Sequence, residues 1–379
     1  MYTAAGSTFP ICPGSSENRL QMAAASREVV RSLQERVRSA VATRTPLLIR
    51  AGGSKDFYGR AVSDNHEVLD PRAYCGVIDH EPTELVITAC SGTPLAEVES
   101  VLAQHNQMLA FEPPHFGSTA TLGGAIACGL AGPRRMAAGA VRDFVLGATL
   151  LDGRADVLTF GGNVMKNVAG YDVSRALAGS LGTLGMILDV SLKVLPLPAA
   201  EQTVRLQLTE ADAIRRVNEW AGHPWPISAT AWVDGALTVR LSGAAAGVQA
   251  AQQRLGGDVI ADGAAFWTTL REQTHAFFKA DRSSTLWRLS LPPTTTPLDL
   301  GANLIEWRGA QRWLWSSAPA ADIRGKAQAA GGHATAFRQH DRNDVFHPLA
   351  PALAQIHQRL KKEFDPMGIF NTGRMYSGL

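Results

Sequence analysis

The chain has 379 residues, a length that favours two domains over one core. Its formal net charge of +2, with both signs spread along the sequence, leaves no basic stripe or tail to track a nucleic acid backbone. Its four cysteines, Cys12, Cys75, Cys90 and Cys128, stand far apart and lack the paired spacing of a zinc or iron–sulfur centre, so no metal is expected and the thiols read as those of a reduced, cytoplasmic protein.

No run reaches the roughly 18 apolar residues of a membrane-spanning helix. The opening residues lack the charged-then-apolar order of a signal peptide, and residues 1–18 read as a flexible extension. Val30, Leu33, Val37 and Val41 then recur at helical spacing between Ser26 and Ala42, and Pro46 introduces a short strand, Leu47 to Arg50. The loop that follows, Arg50-Ala51-Gly52-Gly53-Ser54-Lys55, places adjacent glycines, a hydroxyl and a lysine directly after a strand. That position suits a phosphate, although neither GxxxxGK[ST] nor a regular GxGxxG is present. Short strands at Glu67 to Asp70, Gly76 to Asp79 and Glu84 to Ala89 come next, and Thr93-Pro94 opens a helix carrying Leu95, Val98, Val101 and Leu102. Strands outnumber helices, which makes this half α+β and not a regular Rossmann unit.

Glycines cluster beside Ser and Thr from Phe111 to Ile187. Several glycine turns in succession let backbone N–H groups form concave nests, so the stretch reads as a cradle for a large phosphorylated cofactor. Phe144 to Leu151 and Val157 to Phe160 flank Asp152-Gly153 as a hairpin. Asp172 and Gly179 bracket a short helix, and the apolar run from Ile187 to Val194 is a strand ended by Pro196 and Pro198, where the domain boundary is expected. In the second half, a strand at Val204 to Leu208, a capping box of Thr209 and Asp212, a helix with Ile214, Val217 and Trp220 inward, a hairpin over Trp232 to Val239 and a helix ending at Leu255 give a ferredoxin-like order. Further strands are expected at Thr285 to Leu291, Trp313 to Ser316 and His333 to Arg338, with a helix at Ala321 to Ala329. Leu349, Leu353, Ile356 and Leu360 mark a last amphipathic helix. The tryptophans of this half read as strand packing, and Arg134-Arg135 as a solvated turn.

Arg50-Ala-Gly-Gly-Ser, Pro113 to Gly124, Val141 to Gly147, Val168-Ala-Gly-Tyr-Asp172, Gly179 to Gly185 and Phe364 to Gly373 together resemble the FAD-linked oxidases of the vanillyl-alcohol oxidase type. The wording of Cys128 to Arg135, Val164 to Tyr171 and Gly331-Gly-His-Ala-Thr335 is similar to the FAD-binding E subunits of bacterial glycolate oxidases. The resemblance implies an α+β fold: a two-subdomain FAD-binding domain (19–198) of the vanillyl-alcohol oxidase (PCMH) type, an α+β ferredoxin-like cap (199–345) and a C-terminal segment (346–379) returning to the first domain.

It also implies that FAD is held by Arg50, Ala51, Gly52, Gly53, Ser54 and Lys55 at the pyrophosphate, by Gly117, Ser118, Thr119, Thr121, Leu122, Gly123 and Gly124 on the ribityl and flavin side, by Gly139, Val141, Gly182 and Ile187 at the adenine and ribose, and by Asn371. Ser54 stands where histidyl-flavin relatives carry His, so the FAD is expected to be non-covalent. The implied partners are a sister FAD catalytic subunit, an iron–sulfur subunit and a small 2-hydroxy acid, in a cytoplasmic complex peripheral to the inner membrane. Lys166 and Tyr171 fit the pattern as holders of their loop.

For catalysis, His333 and Arg288 are the candidates. His333 and His340 keep the interval of a metal-type motif whose intervening Gly-Asp-Gly-Asn is absent, and Arg288, alternating with Trp287 and Leu289, faces either a pocket or solvent. Three readings stand: a subunit that oxidises the acid or relays electrons within a complex, a self-sufficient flavoenzyme, or a scaffold that keeps the fold. The missing motif favours relay, with flavin reduction by glycolate slow in the isolated chain.

Overall fold

A computed structural model describes residues 16–162, 172–279 and 283–379. Residues 1–15 of the expected extension, Cys12 among them, and the motif Val164 to Tyr171 with Lys166 lie outside the described residues. Residues 16–18 already belong to the first helix, Ser16–Thr43, which starts well before the expected Ser26.

That helix buries Leu33, Val37 and Ala40 against Leu47, Leu69, Leu151, Met186, Leu188, Ile369 and Phe370. Three distant segments therefore share its apolar stripe: a parallel pair of strands, Leu47–Ile49 and Glu67–Leu69, one face of a larger sheet, and the C-terminal residues. Leu47 also bridges Phe370 in parallel fashion, so the end of the chain joins the small sheet.

The larger sheet of this half runs Val77–Glu81, Val86–Cys90, Met186–Lys193, Val145–Leu151, Val157–Gly161, all antiparallel. Its other face is covered by the helices Leu95–Ala103 and Leu122–Cys128. Leu95, Val98, Val101 and Leu102 are all buried, at roughly 1.5–3 kcal/mol each for full transfer of such side chains from water. Thr93 is no cap for its helix. Its Oγ1 accepts from Gly76 N and donates to Cys90 O, tying the strand ends together. The turn after Leu151 is longer than a two-residue hairpin, because Asp152 Oδ1 accepts from both Arg154 N and Asp156 N.

Residues 200–338 supply one antiparallel eight-stranded sheet, in the order Asp258–Val259, Ala200–Gln207, Ala236–Gly243, Ile227–Val233, Asn303–Glu306, Gln311–Ser316, Thr285–Ser290, His333–Arg338. Thr209 caps the helix Glu210–Ala221 as expected, accepting from Asp212 N. At the tight turn between Val233 and Ala236, Asp234 and Gly235 both take positive φ (51° and 77°), the backbone that a two-residue hairpin requires. Helices Glu210–Ala221, Ala245–Leu255 and Ala320–Ala329 cover one face. The opposite face, with Ala229, Ala231, Leu286, Leu304, Trp313 and Phe337, packs on Tyr58, Leu130 and Leu181 of the first half.

The last helix, Pro351–Phe364, departs from expectation. Leu353 and Ile356 are 50% and 51% exposed, and Leu360 is exposed too. The helix is held instead through a buried Lys361, whose Nζ donates to Asp365 Oδ2 (2.7 Å), Thr183 O (2.8 Å) and Phe370 O (2.7 Å). A satisfied buried ion pair, and not the apolar stripe, fixes the helix's orientation.

Candidate functional site

Two glycine-bearing loops meet beside the small parallel sheet. Gly52 must be glycine because a Cβ there would lie 1.6 Å from Thr119 O, and Thr119 Oγ1 donates back to Gly52 O at 2.7 Å. Gly53 sits at φ +71° with Arg50 and Asp56 crowding its Cβ position, a conformation that glycine adopts without strain. Among the described residues, the amides of Ala51, Gly52, Gly53, Ser54 and Lys55 find no acceptor, nor do those of Ser118 and Thr119. Such a run of unspent donors is an anion nest.

The loop borders a cleft of ≈ 290 Å³ lined by Ile49, Arg50, Lys55, Cys128, Gly182 and Asn371, together with Arg342 and Arg374. Four cations surround a single carboxylate, Asp56, which pairs with Arg50 at 2.6 Å. Arg342 and Arg374 spend their donors on the carbonyls of Asp56, Gly59 and Arg60 and brace the loop from behind. Burial lowers the pKa of Arg374, with Arg342 adding to the effect. Lys55 is also lowered by burial, which Cys128 and Glu272 partly oppose. The Cys128 thiol is raised by burial despite the nearby Lys55 and Arg374, which leaves it protonated and inert.

Asn371, at φ 44°, closes the cleft. Its Oδ1 accepts from Ile49 N at 2.7 Å, its Nδ2 donates to Leu181 O at 2.6 Å, and its own amide reaches Leu47 O. The side chain clamps strand to loop across more than 180 residues of sequence.

On the other side, the inner face of the eight-stranded sheet carries Arg288 opposite Trp313 and Thr335, and Glu306 opposite Gln311 and Ala231. Arg288 therefore faces the first half and not solvent. Its Nη2 donates to Tyr58 OH at 3.1 Å, and its guanidinium lies over the Tyr58 and Phe337 rings. A narrow cavity, ≈ 20 Å³, is lined by Phe116, Leu130, Leu270, Arg271, Arg288, Glu306, Gln311, Trp313 and Phe337.

Around it, the expected solvated turn at Arg134 is in fact buried. Arg134 donates from its amide and Nε to Glu112 and from Nη2 to Glu201, while Arg240 Nη2 stands 2.8 Å from Glu112. The four charges neutralise one another and lock the sheet onto the Phe111 to Arg135 segment. Arg135 stacks on the Trp307 ring.

Residues 28–161 match the family model of the FAD binding domain. Over 349 residues the chain is 48% identical to glycolate oxidase subunit GlcE of Escherichia coli (strain K12), covering 92% of this chain and 97% of that one. The chain belongs to the glycolate oxidase subunit GlcE family. Glycolate oxidase subunit GlcD of Bacillus subtilis (strain 168) is 28% identical over 45% of this chain and 36% of that one. Among solved structures, alkyldihydroxyacetonephosphate synthase superposes with a TM-score of 0.61 at 15% identity, over 89% of this chain and 73% of that one, a likeness of fold alone. The fold is the expected vanillyl-alcohol oxidase type, and the family is one of FAD-binding oxidoreductases.

FAD fits the GlcE-family cleft on the donor set: the unspent amides and the cationic rim would face its pyrophosphate, and the bound flavin would supply two-electron redox chemistry. The remaining expected contacts divide by geometry. The amides of Leu122, Gly123 and Gly124 are already spent on Thr93 O, Ser91 O and Thr121 Oγ1, so this turn serves as a helix start. Val141 and Ile187 are buried in the core of the larger sheet. Gly117 and Gly139 have positive φ, and Gly139 lies beside Asp143. His333 opens its strand as an exposed residue, 6.4 Å from the His347 ring centroid. Its pKa is lowered by the partial loss of solvent around the ring, then by Arg288 and His347. His340 is exposed beyond the strand end, so the two histidines do not converge. Among the described residues no group of three or more His, Cys, Asp or Glu could hold a metal.

Sequence reading missed Glu306, Arg342 and Arg374. Arg374 follows the family-like terminal motif directly, which is the one signal that could have flagged it. Glu306 and Arg342 stand in no motif.

Proposed function

We propose that this chain is the FAD-binding subunit of an assembly that oxidises glycolate, or a closely similar 2-hydroxy acid, with electrons passing through its flavin. The observation that carries the reading is the 48% identity, over nearly the whole length of both chains, to a protein named as a glycolate oxidase subunit. The nest at residues 51–55 and the cationic cleft behind it support FAD as the resident cofactor. Domains at 19–198 for the flavin and 199–345 for the cap, with a returning segment at 346–379, belong to the same reading.

The cofactor is held without a covalent bond, because Ser54 offers no attachment chemistry where a histidine would. Partners are a sister FAD subunit and an iron–sulfur subunit, since the chain's four scattered cysteines provide no relay of its own. The exposed apolar stripe of Pro351–Phe364 supports membership of an assembly. No helix among the described residues is long and apolar enough to cross a membrane, and we place the protein in the cytoplasm, reaching the inner membrane through its complex.

The test is spectroscopic. The purified protein should show a flavin spectrum, acid precipitation should release the colour into the supernatant, and the chain should co-purify with both partner subunits. Colour retained in the pellet refutes the non-covalent link, and colourless protein after reconstitution with FAD refutes the flavin role.

A further inference from the structure

The loop at residues 50–55 can offer its amides because neighbouring carbonyls are tied back. Gly53 O accepts from Asp56 N (3.0 Å), Lys55 O from Tyr58 N (3.0 Å) and Asp56 O from Arg374 Nη2 (3.0 Å). The carbonyl of Gly52 is held by a side chain from a separate glycine-rich segment: Thr119 Oγ1 donates to it at 2.7 Å.

That carbonyl belongs to the peptide joining Gly52 to Gly53. A trans peptide points its C=O and N–H in opposite directions, so a Gly52 O turned to Thr119 leaves the Gly53 N–H turned away from it. Gly53 lines the cleft and Thr119 does not, which puts that N–H on the cleft side. Two adjacent glycines restrain such a peptide poorly. Turning it over changes only ψ of Gly52 and φ of Gly53, and neither residue has a Cβ to resist. Gly53 stands at φ +71°, the sign required at the third residue of a type II turn. The flipped peptide gives the negative φ of a type I turn and presents a carbonyl oxygen where the N–H had been. A stiffer residue cannot replace Gly52, since a Cβ there would lie 1.6 Å from Thr119 O. The orientation has to be fixed from outside the loop.

We propose that Thr119 is a positioning residue for the anion nest: its hydroxyl holds the Gly52–Gly53 peptide so that the Gly53 N–H, and not the Gly52 carbonyl, faces the FAD pyrophosphate. The proposal rests on the reading above that this loop receives FAD. It gives Thr119 a role different from the ribityl-side contact that the resemblance implies. The single O–H of Thr119 is spent on Gly52 O, and a phosphate oxygen brings no proton for the hydroxyl to accept. A flipped peptide weakens binding in two ways, by removing a charge-assisted hydrogen bond and by turning a carbonyl oxygen toward an anion.

The experiment uses the full chain, stripped of FAD and reloaded, with FAD binding read by flavin fluorescence and with ADP and inorganic pyrophosphate as competitors. Thr119→Val keeps the shape and removes the donor. FAD, ADP and pyrophosphate should all bind about 10- to 100-fold more weakly, while the FAD-free chain melts within about 2 °C of the parent. Thr119→Ser keeps the hydroxyl and should return affinity to within about threefold of the parent. Glycine-selective 13C′–15N labelling follows the Gly53 amide in the FAD-free chain. Its resonance should move in Thr119→Val and stay near the parental position in Thr119→Ser. Weakened binding with an unmoved Gly53 amide would mean that Thr119 touches the cofactor directly, and would overturn the proposal. Parental affinity in Thr119→Val would overturn it as well, with the flavin reading intact. If the parent binds neither FAD nor pyrophosphate, the reading of this loop as the FAD cradle falls and the proposal with it.

Discussion

The cradle at residues 50–55 and the cavity at Arg288 and Glu306 lie on opposite sides of one interface and are built on opposite principles. The cradle is backbone: adjacent amides from one loop, shaped by Gly52 and Gly53 against Thr119. The cavity is side chains, brought together from the strands Thr285–Ser290, Asn303–Glu306, Gln311–Ser316 and His333–Arg338. A backbone site demands residues that lack side chains, and their positions in the sequence are contiguous. A side-chain site demands a register, which only the folded sheet supplies.

The largest effect that would test this contrast is at the cradle. Gly53→Asp puts a carboxylate and a Cβ where Arg50 Nη2 already stands 2.5 Å from the Cβ position, at a φ of +71°. Repulsion of the pyrophosphate and backbone strain act together. FAD retention through gel filtration should be lost while the dichroism spectrum stays folded. Normal flavin occupancy would show that the amides of this loop are not the anion nest.

A second substitution asks whether the cradle also depends on side chains unseen in sequence. Lys361 spends three donors on Asp365, Thr183 O and Phe370 O, next to the residues that present Gly182 and Asn371. Burial lowers its pKa and Asp365 draws it back. Lys361→Met leaves Asp365 buried and without its cation, and removal of one partner of such a pair costs about 3–5 kcal/mol. Urea denaturation should register that loss. A midpoint unchanged from the parent would mean that the helix Pro351–Phe364 is anchored by other means.

What was legible follows the same division. Gly52, Gly53, Thr119 and the hairpin at Asp234-Gly235 could be found because glycine and turn chemistry are local. The order of strands in the second half was largely readable from alternation, since a face that packs on another element must be apolar at every second residue. Leu353, Ile356 and Leu360 were read as one face of an amphipathic helix, and they share a face that is exposed, because periodicity says which residues share a face and not which face meets the core. Arg134 looked like a solvated turn residue, since its partners Glu112 and Glu201 lie 22 and 67 positions away in sequence. Glu306 was invisible for the same reason: its donors are near in chain, but the Arg288 side of the cavity and Glu112 arrive from elsewhere.

The smallest effect expected concerns the cavity alone, and separates it from the cradle by pH. Glu306 is raised from an ordinary 4.5 to about 7, chiefly by burial. A carboxyl with a folded pKa above its unfolded one makes its full contribution to stability below about 4.5 and loses it as pH rises through 7, because the folded state must then hold an ionised group away from water. A rise of this size corresponds to roughly 3 kcal/mol. Gln at the same position keeps the shape and cannot ionise. The melting temperature of Glu306→Gln should therefore lie close to that of the parent at pH 4 and above it at pH 8.5, with the gap growing as pH rises from about 4.5 to 7 and levelling off beyond. The cradle, whose donors are amides, should leave no such signature: the Gly53→Asp protein should show the same pH dependence of melting as the parent stripped of FAD. A parent and Glu306→Gln pair that melt in parallel from pH 5 to 8.5 would mean that Glu306 titrates like an ordinary carboxyl.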